Sequence, residues 1–479
     1  MESWSTFGGD LHLDLTGRRA RGLGLRAALE DALREAVQDG RLAPGTRLPS
    51  SRALGGDLGV ARNTVVEAYT QLAAEGWLTS RRGSGTTVAA RATPSRPVSC
   101  PAEPASGPAI RYDLRPGRPD LSLFPRTAWL AAARRALATA PHDAFGYGNP
   151  LGRIELRRAL AGYLARVRGV RTDPAHILLC SGYTQGLALL GRALSDRGTG
   201  TLAVEAYGLP RHREVARFAG PATEPLPLDE AGARTDLLAG SRAGAVLLTP
   251  AHQFPLGAPL PAARRQAAVE WARERDGFVI EDDYDGEFRY DRQPVGSMQG
   301  LDPERVVYAG TASKSLAPGL RIAWLALPGA LVEPLARLKT LADGQSGVLD
   351  QLTLAELITS GTYDRHVRRC RLHYRRRRDR LVAALAERAP DVRVTGIAAG
   401  LHAVLQLPDG APPEAELLAR AAAAGLAVGA LADCLDDPRQ APRAAPALVI
   451  GYGTPPEYAF AGALDALCTL LEPLGRPSR

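Results

Sequence analysis

Six apolar runs in the middle of the chain constrain its fold more than any other feature. Each run is continuous, and stretches with helical spacing of apolar residues separate it from the next. The runs occupy residues 177–179, 202–204, 245–248, 278–280, 306–308 and 322–327. Continuous hydrophobicity is typical of strands buried on both faces. We therefore predict an α/β domain with a mainly parallel sheet covered by helices.

Polar residues follow these runs where the strands should end. Because ligands bind at the carboxyl ends of parallel strands, the residues after each run are candidates for one site. They are Ser181, Gly182 and Tyr183 after the first run, Glu205 after the second, His252 after the third, Asp282 and Tyr284 after the fourth, and Lys314 after the fifth. The sequence thus predicts that a lysine, a carboxylate, a phenol and an imidazole converge on one edge of the sheet.

Lys314 is one of only two lysines, and a lysine of lowered pKa attacks an aldehyde whereas an arginine cannot. The other, Lys339, lies in a helical pattern, and we expect it on the solvent-exposed face. Small hydroxyl residues surround Lys314 and Arg321 follows it, which suits a phosphate held beside a Schiff base. Read alone, Lys314 fits an ordinary loop lysine equally well. The sequence Glu-Asp-Asp at 281–283 would similarly fit a metal site or an exposed turn.

Pyridoxal 5′-phosphate accounts for the candidate residues together. The lysine would hold the aldehyde, and an aspartate paired with the ring nitrogen would keep that nitrogen protonated. A tyrosine or an amide would lie beside the ring oxygen, and hydroxyls with an arginine would hold the phosphate. The buried run before Asp282, and Lys314 further along the chain, favour this cofactor over a metal.

Composition indicates a cytoplasmic protein. The five cysteines are far apart, without a C-x-x-C pair, which fits a reducing compartment and provides no zinc pattern. No run of 18 apolar residues occurs, and the first residues resemble neither a signal peptide nor an anchor, so we expect no membrane span.

The N-terminal part is basic and has the outline of a DNA-binding module. Residues 18–91 contain 12 basic and 7 acidic residues, within a chain of net charge +8. Helices at about 51–58 and 62–75 flank a glycine turn, and a hairpin should follow at about 81–88. We expect Arg62, Asn63 and Thr64 to reach the bases, and Arg52, Arg81 and Arg82 to reach phosphates. Any one of these arginines alone could be an ordinary surface charge.

This segment resembles the winged helix of the GntR superfamily. The matching motifs are LPSSRAL at 48–54, LGV at 58–60 and RNTVVEAYTQLAAEG at 62–76. The family often has serine at the position of Ala61, where the hydroxyl would cap the recognition helix. The predicted domains are a tail at 1–20, a winged helix-turn-helix at 21–89, a Pro/Ala/Ser-rich linker at 90–110 and a large domain at 111–479.

The large domain resembles a fold-type I aminotransferase, with a small C-terminal α+β subdomain at about 380–479. The whole chain is similar to the MocR/GabR subfamily of GntR regulators. The motifs are YGNPLG at 147–152, TPAHQFPLG at 249–257, IEDDYDGEFRY at 280–290 and SKSLAPGLR at 313–321. By position, the resemblance makes Lys314 the Schiff-base residue, Asp282 the pyridine partner, Tyr284 and His252 the ring-oxygen neighbours, and Ser313 and Arg321 phosphate ligands. It also places Ser181, Gly182, Tyr183 and Tyr147 at the cofactor, and Arg211 at an effector.

The resemblance implies a homodimeric transcriptional regulator, arranged head to tail, that binds promoter DNA. Its large domain would sense pyridoxal phosphate or an amine or amino-acid effector. The alternative is an active aminotransferase with an attached DNA-binding module. A structural DNA-binding protein with a relic domain would not need Lys314 and Asp282 together.

Three features depart from the pattern or remain open. After the second run, the sequence EAYGL at 205–209 displaces the tyrosine of the family's D-P-G-Y turn. The arginine that would bind a substrate carboxylate has no direct counterpart near 447–450, and Arg443 is the nearest candidate. An arginine run at 368–378 predicts an amphipathic helix with a solvated face; a second DNA-contacting surface is the alternative.

Overall fold

The structure is a computed structural model, and it describes residues 13, 15, 22–81, 85–90, 110–290, 295–436 and 446–475. The chain forms two compact units, Met1–Ser106 and Gly107–Arg479. Arg82 and Arg443 lie outside the described residues, as does nearly all of the predicted tail and linker. No described helix is long and apolar enough to cross a membrane.

The first unit contains three helices and a β-hairpin. The helices are α1 (Leu25–Gln38), α2 (Ser51–Leu58) and α3 (Arg62–Ala74), and the strands are β1 (Leu78–Arg81) and β2 (Gly85–Val88). The two strands are antiparallel, with Arg81 opposite Gly85. Leu29, Leu33, Val65 and Leu72 form the centre of its hydrophobic core. Apolar residues at helical spacing thus produce the predicted winged helix-turn-helix.

Local sequence explains the tight turn between α2 and α3. Gly59 ends α2 with φ of +64°, a conformation that glycine adopts without steric cost. The Val60 amide donates to the Gly55 carbonyl at 2.9 Å, and a Cβ on Gly55 would lie 3.0 Å from the Val60 oxygen. Ser50 caps α2 by accepting from the Ala53 amide at 3.2 Å, whereas Ala61 provides no side-chain cap for α3.

The second unit is built on a seven-stranded sheet with the strand order β4-β12-β11-β10-β9-β5-β6. Its strands are β4 (Ile177–Cys180), β5 (Thr201–Glu205), β6 (Ala222–Leu226), β9 (Ala245–Leu248), β10 (Phe278–Asp283), β11 (Val306–Thr311) and β12 (Ala323–Ala326). Every pairing is parallel except those of β12, which is antiparallel to both neighbours. The six predicted strands are all present. The edge strand β6 was missed because it contains Pro225 and is half exposed.

Helices cover both faces of this sheet. They are α4 (Arg126–Thr139), α5 (Ile154–Arg168), α6 (Tyr183–Asp196), α7 (Pro210–Ala219), α8 (Ala262–Glu274), α9 (Gly329–Asp343), α10 (Val348–Thr359) and α11 (Thr362–Arg388). Successive strand residues enter different cores: Leu178 packs with α6, and Leu179 packs with α5. This burial on both faces explains the continuous apolar runs.

A smaller antiparallel sheet with the order β13-β14-β17-β16 lies in the C-terminal part. The remaining elements are β3 (Tyr112–Asp113), β7 (Leu228–Asp229), β8 (Gly232–Ala233), β13 (Arg393–Thr395), β14 (Ala403–Gln406), β15 (Leu426–Ala427), β16 (Gly429–Ala430), β17 (Ala447–Ile450), α12 (Glu414–Ala423) and α13 (Glu457–Leu471). β3 pairs with β15, so the start of the second unit joins its C-terminal part.

The prediction that Lys339 is exposed was wrong. Its side chain is fully buried on α9, where Nζ donates to Asp343 at 2.5 Å and to Ser346 at 3.0 Å. A carboxylate one helical turn further along supplies the countercharge that makes the burial possible.

Candidate functional site

A cavity of about 220 Å³ lies at the carboxyl ends of the central strands. It is lined by residues at and just beyond the ends of β5, β9, β10 and β11, together with the first turns of α6 and α7 and Gly117. Lys314, Asp282, Tyr284, Tyr183, Ser313 and Arg321 all line it. The fold therefore brings six of the residues predicted for one site to the same cavity.

Lys314 lies in the turn that follows β11, and its side chain is directed into the cavity. Its Nζ donates to the carbonyl oxygen of Gly117 at 2.5 Å. Burial lowers the pKa of Lys314, and the negative charge of Asp282 offsets part of this effect. A lysine amine with a lowered pKa is a better nucleophile towards an aldehyde.

The three adjacent acids of β10 have separate roles. Glu281 accepts from the backbone amides of Met298 and Gln299 at 2.9 and 3.0 Å. Asp283 forms a buried ion pair with Arg168, in which Nε lies 2.6 Å from Oδ2. Asp282 alone faces the cavity. This division accounts for the Glu-Asp-Asp sequence without assigning all three carboxylates to one metal ion.

Asp282 is nearly fully buried. Burial raises its pKa to about 8, and the Tyr183 hydroxyl and Lys314 offset part of that increase. His212 Nδ1 lies 3.7 Å from Asp282 Oδ2, and the His212 ring packs on Tyr183 with ring centroids 4.7 Å apart. Burial, Lys314 and neighbouring arginines lower the His212 pKa to about 3, so this contact involves a neutral imidazole. Burial disfavours the charged form of Asp282, and the neutral His212 does not offset this. A cationic ring nitrogen beside Asp282 would therefore stabilise its carboxylate.

Tyr284 lines the cavity, and His252 lies behind it. The Tyr284 hydroxyl donates to the His252 carbonyl oxygen at 3.0 Å and lies 3.1 Å from His252 Nδ1. The same Nδ1 lies 2.8 Å from Asp285 Oδ2. The imidazole of His402 packs on that of His252, with centroids 5.0 Å apart. His252 is not among the residues that line the cavity, although sequence reasoning placed it beside the cofactor ring.

Arg321 and the start of α6 form the other end of the cavity. Arg321 has φ of +52°, unusual for a residue with a side chain, and its Nη2 donates to the Ser181 carbonyl oxygen at 2.8 Å. A Cβ on Gly182 would lie 2.3 Å from the Arg321 guanidinium, so only glycine permits this approach. The Thr311 hydroxyl donates to Ser313 Oγ at 2.8 Å. A guanidinium, hydroxyls and a helix N-terminus together suit a phosphate.

Glu205, which the sequence places after the second apolar run, lines the cavity, and so does His212, which the sequence did not indicate. Burial raises the pKa of Glu205 to about 7, and it accepts from Thr249 Oγ1 at 2.5 Å. Glu205 was identified from the sequence because it directly follows an apolar run. His212 could not be identified in this way, because its direction depends on how α7 packs.

Tyr147 and Arg211 do not line this cavity. Tyr147 is fully exposed on the surface of its own chain. Arg211 is exposed, whereas His212 and Arg213 of the same helix line the cavity, because successive helical residues point about 100° apart. Arg213 lines the cavity instead, and its Nε lies 3.0 Å from Asp436 Oδ1. The Arg213 guanidinium also donates to the Leu435 carbonyl at 2.8 Å, so this arginine is already fully engaged.

The expected DNA-contacting residues of the first unit are at its surface. Arg52, Arg62, Asn63 and Arg81 are exposed, and Thr64 is half-buried in the first turn of α3. Arg47 was missed: it is exposed, its backbone bridges to Thr87 of the hairpin, and its guanidinium lies where a Cβ on Gly85 would be only 3.1 Å from Nε. Arg47 and Arg81 therefore both lie at the hairpin.

Comparison with known proteins agrees with this two-unit organisation. Residues 25–88 match the gntR family of bacterial regulatory proteins, and residues 117–427 match aminotransferase class I and II. The chain belongs to the GntR-type transcriptional regulators that carry an aminotransferase-like domain, the MocR/GabR subfamily. The class defined by the fold and the site is therefore a transcriptional regulator with an aminotransferase-like domain.

Two relatives and one solved structure illustrate the similarity. The pyridoxine biosynthesis transcriptional regulator PdxR of Corynebacterium glutamicum is 36% identical over 79% of this chain and 82% of its own length. The probable rhizopine catabolism regulatory protein MocR of Rhizobium meliloti is 33% identical over 74% and 76%. An archaeal alanine:glyoxylate aminotransferase superposes with a TM-score of 0.68 and 26% identity, covering 76% of this chain and 91% of its own.

Proposed function

We propose that the cavity of the second unit binds pyridoxal 5′-phosphate and that its occupancy controls promoter binding by the winged helix. The observation that carries the proposal is the presence of Lys314, with a lowered pKa, in one cavity with the buried Asp282. When bound, the cofactor supplies an aldehyde for covalent attachment and an electron-withdrawing ring.

The residues present fit this cofactor at four points. Lys314 would take the aldehyde, and Asp282 would pair with the ring nitrogen. Tyr284 would lie beside the ring oxygen, while Arg321 and Ser313 would hold the phosphate at the start of α6. The space left by the missing Cβ of Gly182, filled by the Arg321 guanidinium, supports the phosphate assignment.

We propose pyridoxal phosphate itself, or an amine that condenses with it, as the effector. A ligand changes DNA binding only if it favours one arrangement of the protein over another. The similarity to a regulator of pyridoxine biosynthesis supports the cofactor as the signal. Arg213 is already paired with Asp436, which argues against its binding the carboxylate of a ligand.

A homodimer is part of the proposal. Tyr147 is fully exposed, Phe145 beside it is half exposed, and a hydrogen bond of 2.6 Å from the Gly148 amide to Gln345 fixes this loop. We propose that this loop contacts a second copy of the chain, where Tyr147 would reach the partner's cavity. Sedimentation of the wild type and of Tyr147→Arg tests this contact, with a dimer expected only for the wild type.

The test of the main proposal uses the full-length protein and DNA from upstream of its own gene. Reduction with borohydride in the presence of pyridoxal phosphate should add one cofactor mass to the wild type and none to Lys314→Ala. The cofactor should change the DNA affinity of the wild type and leave that of the variant unchanged. If both proteins respond equally, the proposal is wrong.

An active aminotransferase is the second candidate, favoured by the similarity to solved aminotransferases. Multiple turnovers with an amino acid and a keto acid would establish it. A half-reaction without turnover would instead leave sensing as the role of the cavity.

A further inference from the structure

Helix α11 carries an arginine-rich surface, here called the arginine face. Its members lie within about half of the helix circumference, opposite the buried side. They are Arg365, Arg368, Arg369, Arg371, Arg375, Arg376 and Arg378, all exposed except the half-buried Arg378. On the opposite side, Tyr363, Tyr374 and Leu381 are buried against the second unit, so the helix is held in place.

This helix is the most basic helix of the second unit's described residues. Its 27 residues contain ten arginines and three acids, a net charge of +7, whereas the whole chain carries +8. Arg377, Arg380 and Arg388 pair with acids outside the helix, so the excess positive charge lies on the arginine face. A concentration of one sign of charge attracts polyanions.

Neighbouring acids do not neutralise the arginine face. Asp364 pairs with Arg166, at 2.8 Å, and Asp379 lies 3.9 Å from Arg375. Within the described parts of the chain, no ion pair involves Arg368, Arg376 or Arg378. Like charges three and four residues apart on a helix repel one another. An external anion would relieve that repulsion.

The dimensions of the arginine face suit a nucleic-acid backbone. With a rise of about 1.5 Å per residue, the stretch from Arg365 to Arg378 spans about 20 Å. Duplex DNA carries about one phosphate charge per 1.7 Å of its axis, and guanidinium groups bind phosphate oxygens in a bidentate manner. A band of arginines along one side of a fixed helix is thus complementary to a duplex lying alongside it.

We propose that the arginine face binds the phosphate backbone of duplex DNA that flanks the sequence read by the winged helix. The proposal rests on DNA binding by the first unit and assigns a separate, sequence-independent contribution to the second. DNA is the expected occupant because the same chain brings a duplex to the protein. An acidic protein surface is the alternative that the experiment must distinguish.

The experiment measures the affinity of the full-length protein for two duplexes over a range of salt concentrations. Both contain the site mapped by footprinting upstream of its own gene, and one is longer by about two helical turns, about 21 base pairs, on each side. The test variant is Arg368→Gln, Arg375→Gln and Arg376→Gln combined. The matched control, Arg158→Gln, Arg242→Gln and Arg337→Gln combined, removes the same charge from exposed positions elsewhere.

We expect the wild type and the control to bind the long duplex at least tenfold more tightly than the short one at low salt. The test variant should lose this difference, and its salt slope on the long duplex should fall by about 2 to 3, since each phosphate contact contributes about 0.9. Its affinity for the short duplex should be unchanged.

Two results would overturn the proposal. One is a test variant that binds the long duplex with the affinity and salt slope of the control, which would leave an acidic protein as the candidate occupant. The other is a wild type that binds both duplexes equally. A wild type that binds neither duplex would instead contradict the regulator function itself. The variant Arg62→Ala identifies how much of the DNA affinity comes from the winged helix.

Discussion

His252 Nδ1 lies 2.8 Å from Asp285 Oδ2, and both side chains are almost completely buried. Tyr284 separates this pair from the cavity, because its hydroxyl contacts both the ring and the carbonyl oxygen of His252. We therefore expect the pair to act on a bound ligand only through Tyr284, with His252 as a positioning residue behind the cavity.

Replacing His252 with phenylalanine should weaken cofactor binding by about 3- to 10-fold, the equivalent of one hydrogen bond of about 0.5–1.5 kcal/mol. It should also shift the pH midpoint of the visible absorbance of the bound cofactor. Because the effect passes through Tyr284, the double variant His252→Phe/Tyr284→Phe should bind no more weakly than Tyr284→Phe alone. Additive losses would show that His252 acts independently.

Gly182→Ala should impair the phosphate end of the cavity. The new methyl group would lie 2.3 Å from the Arg321 guanidinium, and φ of +91° is itself unfavourable for alanine. We expect at least a tenfold loss of pyridoxal phosphate affinity and a destabilisation of about 1–2 kcal/mol. Gly319→Ala is the matched control, since nothing lies within 4 Å of its added Cβ. Equal losses in both variants would contradict this account.

Asp282→Asn should change the pH dependence of stability of the cofactor-free protein. Burial raises the Asp282 pKa from 3.8 to about 8, so the folded state retains a proton that the unfolded state loses in this range. Stability of the wild type should therefore fall as pH rises from about 4 to 8, then level off. One pKa unit corresponds to about 1.4 kcal/mol. Between pH 4 and pH 8, the free energy of unfolding of the variant should therefore rise by up to several kcal/mol relative to that of the wild type.

Thermal unfolding of the wild type and the variant at pH 4 and at pH 8.5 measures this relative gain in stability. The same variant should bind pyridoxal phosphate poorly. A stability difference that is independent of pH would mean that Asp282 is not the buried titrating group.

Ala61→Ser should stabilise the winged helix. Ala61 has φ of −60° and ψ of 136°, close to the −58° and 150° of Ser50, which caps α2. A hydroxyl at position 61 should therefore cap α3 and add about 1 kcal/mol to the free energy of unfolding of the first unit. Ser50→Ala should cost a similar amount. Hydrogen exchange of the α3 amides measures both changes, and unchanged exchange in Ala61→Ser would contradict the capping argument.

Much of the fold was predictable because it depends on local pattern. Continuous apolar runs identified six of the seven strands of the large sheet, and motif spacing identified the turn at Gly59. The antiparallel direction of β12 was not predictable, because direction is set by the path of the connecting turn rather than by hydrophobicity. The edge strand β6 lacked the pattern altogether.

The site was predictable where strand ends determine side-chain direction, as for Asp282, Tyr284 and Lys314. It was less so where a residue lies on a helix. The packing of α7 turns His212 and Arg213 towards the cavity and Arg211 away from it. The burial of Lys339 was also missed, because its partner Ser346 lies beyond the end of α9.

Arg377 is the one buried member of the four consecutive arginines at 375–378, and it binds Asp120 at 2.8 Å and the Pro455 carbonyl at 2.6 Å. These contacts set the rotation of α11 about its own axis. Deleting or inserting a single arginine in that tract would barely alter composition, yet it would turn one half of the helix by about 100° relative to the other. The number of arginines in the tract is therefore constrained by geometry, and a shortened tract would present its charges in a different direction.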